Sequence, residues 1–102
     1  MKANNNILEI NNVIKKAEII EQDFNGQFFI IVVRDGVADM ENVCCLSNTS
    51  YDVWKLIRGE ISIKEIVNQF MKIYNVDYTT AKRDILEFLG ESLIEGMILK
   101  IK

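Results

Sequence analysis

Residues 46–59 read LSNTSYDVWKLIRG: an apolar residue, a polar cluster, a helix-spaced apolar set that includes the chain's one tryptophan, then arginine and glycine. Ser47 is a good helix N-cap, a role Thr49 or Ser50 could share, because a hydroxyl oxygen at that position accepts an otherwise orphaned backbone N–H. Val53, Trp54 and Ile57 fall on one helical face and Tyr51 extends it, so the stretch predicts a helix that plants Trp54 in a core. Gly59 is expected to end that helix as a left-handed cap. An anchor helix after a strand-like run suits two kinds of protein, a DNA-binding module or a small domain that holds a peptide.

Downstream, Ser62 and Glu65 have capping-box spacing, and Ile63, Ile66, Val67, Phe70 and Ile73 supply the buried face of a second helix. Residues 74–77 make the connection, and Thr79 or Thr80 opens a third helix. Ala81, Ile85, Phe88, Leu89 and Ser92 follow helical spacing there, with Lys82, Leu86 and Leu93 in a neighbouring stripe. Gly96 ends this helix, and the alternation over 97–101 predicts a short terminal strand or wing.

Upstream, apolar and polar residues alternate from Lys16 to Glu21, Asn25-Gly26 and Asp35-Gly36 are turn signals, and QFFIIVV (27–33) lies between them. VADMENVCCL (37–46) completes an antiparallel sheet of about three strands. The fold class is therefore α+β, with the sheet followed by three helices. Phe28, Ile30 and Val32 face one side of the middle strand while Phe29, Ile31 and Val33 face the other. Helices on one side leave the second face for the N-terminal tail, another subunit or a ligand, which makes a homodimer an expectation. Residues 1–12, rich in asparagine, read as a tail or an added strand near Ile7–Ile10, and residues 13–102 as the domain.

A length of 102 residues fits one domain. Twelve basic against fifteen acidic residues give a net charge of −3, with the excess acid in the first 61 residues. No long basic field exists to follow a nucleic-acid backbone, which sets the DNA reading second. The sequence has no signal segment and no apolar run of membrane-spanning length, so a cytoplasmic location with no membrane partner is expected. Histidine is absent. Cys44 and Cys45 are adjacent, which disfavours a disulfide between them, and in a strand they point to opposite faces, which disfavours a shared metal. Asp84, Glu87, Glu91 and Glu95 have the spacing of a solvated helix face, and the five glycines are scattered singly rather than gathered in a phosphate loop. Binding, with no cofactor and no bond chemistry, is what these residues support.

The order of the motifs resembles the PqqD-like family, whose members are recognition domains for ribosomally made, post-translationally modified peptides. The resemblance rests on Leu46-Ser47-Asn48-Thr49 running into Val53-Trp54, on Gly59 followed by Ser62-Ile63-Lys64-Glu65-Ile66, on Asp84-Ile85-Leu86-Glu87-Phe88-Leu89, and on Gly96-Met97-Ile98. It covers roughly residues 16–100 and is strongest from Leu46 onward. Ser47 stands where the family commonly has asparagine, and Ser50 and Tyr51 replace a usual small pair.

The resemblance implies a winged helix-turn-helix-like fold in which a precursor's leader peptide pairs with the third strand and lies against the third helix. Asp39, Met40, Glu41, Asn42, Val43, Cys44 and Cys45 would supply the strand contacts. Lys82, Arg83, Ile85, Leu86 and Leu89 would form the helix wall, with Lys82 and Arg83 meeting acidic leader residues and Ile85 and Leu89 equally readable as core. The implied role is delivery of the leader to a separate modifying enzyme, such as a radical SAM iron-sulfur maturase.

Overall fold

Two tight turns organise the first part of the chain. Asn25 and Gly26 both have positive φ (55° and 80°), as do Asp35 and Gly36 (53° and 76°). This backbone, which asparagine, aspartate and glycine tolerate best, matches the twist of a two-residue hairpin. The computed structural model describes residues 12–101. In it, β1 (Asn12–Lys15) is followed by a meander of β2 (Ile19–Phe24), β3 (Gln27–Arg34) and β4 (Val37–Ala38). Then come β5 (Cys44–Leu46), α1 (Asn48–Leu56), β6 (Ile61–Ser62), α2 (Ile63–Tyr74), α3 (Tyr78–Ile94) and β7 (Ile98–Ile101).

The molecule is α+β, with three helices and antiparallel sheets. There are two sheets where the sequence suggested one. In the first, β3 is flanked by β2 on one side and by β4 and β5 on the other; in the second, β1 lies between β6 and β7. The strand expected at 16–21 is accordingly displaced to Ile19–Phe24, because the chain changes sheets just before it. Lys16 N–H donates to the Met97 carbonyl at 2.9 Å, whereas the Glu18 carbonyl accepts from Val33 N–H at 3.0 Å. The expected tail or strand near Ile7–Ile10 lies outside the described residues.

The run 37–46 is likewise not one strand. Val33 pairs with Ala38, but Phe28 pairs with Leu46, so the register along β3 shifts by three residues between β4 and β5. Asp39 holds the intervening loop. Its carboxylate accepts from Asn42 Nδ2 at 3.1 and 3.3 Å and from Arg34 Nε at 3.3 Å. These donors, Asn42 first, hold the Asp39 carboxyl below its ordinary range against a smaller opposing effect of burial. With the turn bond from Asn42 N–H to the Asp39 carbonyl (3.3 Å), this local arrangement competes directly with the strand ladder.

Both serine caps form as expected: Ser47 Oγ accepts from Ser50 N–H and Ser62 Oγ from Glu65 N–H, each at 3.1 Å. Two helix boundaries and one buried face differ from the sequence reading. Helix α1 stops at Leu56, and the chain turns extended at Ile57 (φ −86°, ψ 90°), which is itself buried, so Gly59 (φ 66°) lies beyond the cap. The N-cap of α3 is Asp77 rather than Thr79 or Thr80; the Thr80 hydroxyl is the main reason its carboxyl is held low. In α2 the buried stripe passes from Phe70 to Tyr74, four residues on, leaving Ile73 52% exposed. Tyr74 packs on Phe70 and its hydroxyl donates to Asp52 of α1.

The core lies between the helices and the inner faces of the sheets. Trp54, Ile30, Ile63, Ile66, Val67, Ala81, Ile85, Leu89 and Val13 are fully buried. Trp54 is thus an anchor, with the Lys15 ammonium 4.5 Å from its ring centroid. The predicted α3 stripe of Ala81, Ile85, Phe88, Leu89 and Ser92 is the buried one. On β3, Ile30 and Val32 are buried, whereas Phe29, Ile31 and Val33 on the outer face are only half-buried.

Candidate functional site

The break in the third strand shapes the site. After the loop at 39–43, β5 pairs with β3 on one side, and among the described residues its other edge carries no strand. That edge faces the C-terminal half of α3 across a groove of about 380 Å³. Glu41, Asn42, Val43, Cys44, Cys45 and Leu46 form one wall; Phe88, Glu91, Ser92 and Glu95 form the other, with Ser50 and Met97 closing the lining.

The floor is apolar and fixed. Leu46, Phe88 and Met97 are buried, and Ser92 contributes a small side chain whose hydroxyl donates to the Phe88 carbonyl at 2.8 Å. That back-bond satisfies the hydroxyl within its own helix and leaves the space above it open. At the end of α3, Gly96 N–H bonds to the Leu93 carbonyl (3.2 Å) and Met97 N–H to the Ser92 carbonyl (2.9 Å). This Schellman arrangement turns the chain so that Met97 folds inward beneath the groove. Arg34 ties the two walls together: Nε meets the Asp39 carboxylate and Nη2 donates to the Glu95 carbonyl, both at 3.3 Å. A guanidinium at a helix C-terminus also suits the negative end of the helix dipole.

Glu41, Glu91 and Glu95 stand exposed along the rim. Burial pushes the half-buried Cys44 thiol up, and Glu95, Cys45 and Glu91 push in the same direction, so Cys44 is a protonated wall group at neutral pH rather than a thiolate nucleophile. No three of the described cysteine, aspartate and glutamate side chains converge closely enough to hold a metal ion.

Of the strand residues expected at the site, Glu41, Asn42, Val43, Cys44 and Cys45 line this groove. Asp39 and Met40 lie instead around a separate depression with Arg34, Val37 and Ala38. The helix residues divide further. Ile85 and Leu89 are fully buried and belong to the core, so they form no accessible wall. Lys82, Arg83 and Leu86 line a different depression with Thr79 and Glu87. At 1.5 Å per residue, Lys82 lies about 14 Å along the helix from Glu91. Sequence reasoning missed Leu46, Ser50, Phe88, Glu91, Ser92, Glu95, Met97 and the strut Arg34. The positions 88, 91, 92 and 95 do share one helical face, and that spacing was the available signal; nothing local marked Arg34.

Three helices packed on antiparallel sheets, with an open strand edge facing a helix across a groove, define the class: a small α+β protein with an edge-strand groove. The chain belongs to the family of coenzyme PQQ synthesis protein D (PqqD), whose family model matches residues 37–98. That span includes every residue lining the groove, from Glu41 to Met97, and leaves out β1 to β3. Searches of curated proteins and of solved structures gave no match. Among the described residues no helix is long and apolar enough to cross a membrane.

Proposed function

We propose that the protein binds the leader segment of a ribosomally synthesised precursor peptide by strand addition to β5 and presents it to a separate modifying enzyme. The observation that carries this reading is the unpaired edge of β5 beside the groove along α3. A free edge is a standing template for another extended chain. A strand added there lies about 4.8 Å from β5 and sends alternate side chains toward the groove floor. Backbone hydrogen bonds then supply affinity, and Leu46, Phe88 and Met97 supply an apolar seat for one side chain.

The function is delivery. With the leader held, the attached core segment reaches its enzyme at a raised local concentration. The family resemblance points to a radical SAM iron-sulfur maturase as that enzyme and to the cytoplasm as the place. The acid rim of the groove gives no support to a nucleic-acid ligand, whose phosphates it would repel.

The test is a titration of the isotope-labelled protein with a synthetic leader taken from a short precursor sought among the neighbouring genes, followed by amide NMR. Shifts concentrated at residues 41–46 and 88–97 are the expected result. Shifts concentrated at Lys82, Arg83 and Leu86, or none at saturating leader, would overturn the reading.

A further inference from the structure

We infer that the groove selects a leader segment in which an apolar side chain and a lysine or arginine lie two residues apart, on the same face of the added strand. This rests on the leader-binding reading and specifies the chemistry of its ligand. Glu41, Glu91 and Glu95 surround an apolar floor, and none of the three has an ion-pair partner among the described residues. Glu91 and Glu95 are also badly placed for stability. They repel each other at i,i+4 spacing, and they stand at the negative end of the α3 dipole, where the last turn contains no basic residue. Arg34 approaches this end, but its guanidinium is already engaged by the Asp39 carboxylate and the Glu95 carbonyl.

A cation entering the groove relieves all of these repulsions together. The carboxylates are not gathered as metal ligands, so a long cationic side chain fits better than a metal ion. Spacing supports the same occupant. Side chains on one face of a strand recur about every 6.8 Å, so the residue two positions from the seated one is its neighbour on the groove side. With an apolar side chain seated between Leu46, Phe88 and Met97, the next residue on that face reaches the rim. The same carboxylates reach the wall of the groove: burial first pushes the Cys44 thiol up, and Glu95 and Glu91 push in the same direction. A basic leader segment is thus the opposite of the acidic one that Lys82 and Arg83 suggested.

The experiment is a charge swap with the same synthetic leader, read by calorimetry at low and moderate salt. Changing the leader's lysine or arginine to glutamate should weaken binding to the native protein at least tenfold. Glu91→Lys together with Glu95→Lys should weaken the native leader similarly and recover binding of the acidic leader, with circular dichroism and thermal melting confirming the fold. A leader that binds tightly yet changes less than twofold in both swaps overturns the inference and leaves leader binding standing. A larger loss from Lys82→Glu than from the glutamate reversals also overturns it. A leader that does not bind the native protein at all overturns both readings.

Discussion

Cys44 and Cys45 are neighbours in the chain with different surroundings. Cys45 is exposed, while Cys44 is half-buried on the groove wall beside Glu91 and Glu95. Only the thiolate alkylates, and a raised pKa means less thiolate at a given pH. Iodoacetamide at neutral pH should therefore label Cys45 well before Cys44, with Cys44 catching up only in alkaline solution; peptide mass spectrometry resolves the two, and equal rates at neutral pH would contradict the account. Their opposite orientations were legible from strand alternation. Which of the two is the more buried was not, because that depends on where α3 lies. Arg34 makes the same point more strongly: its sequence context is a turn, whereas its role joins a loop to a helix end 61 positions away.

Elements that depend on neighbours in sequence were the readable ones. The two hairpin turns, the Ser47 and Ser62 caps and the α3 stripe all form from residues within about one helical turn or one hairpin of each other. Ser62→Ala should cost about 1 kcal/mol, the usual worth of a serine cap. In urea denaturation this appears as a lower midpoint with an unchanged slope. A change in slope, or no change in midpoint, would mean that the 3.1 Å bond to Glu65 N–H does not support α2 as described. The unbroken strand expected at 37–46 failed for a related reason. Asp39 and Asn42 are turn formers inside an alternating pattern, and the bonds that the Asp39 carboxylate accepts from Asn42 and Arg34 outcompete the ladder over residues 39–43.

At the scale of the whole molecule, the second sheet joins the two ends of the described chain. β1 pairs along its full length with β7, with Lys15 opposite Ile98. Ile98 is 1% exposed, whereas Leu99, next to it in the same strand, is 49% exposed. Ile98→Ala should cost about 2–5 kcal/mol, a large share of a small domain's stability. Leu99→Ala should stay within about 0.5 kcal/mol, as surface changes usually do. Thermal or urea melts of the pair check both, and similar losses would contradict the inward orientation of Ile98. The sequence by itself determined the α+β class, the three helices, the hairpins and the likeness to the PqqD family, because periodicity, caps and turns act over a few residues. Only the tertiary structure decided that β1 joins β6 and β7, that Ile85 and Leu89 are core, and that the groove is walled by Glu41–Leu46 and the 88–95 face of α3. Those outcomes depend on contacts between distant segments, where chain closure and packing select among pairings that local patterns leave equivalent.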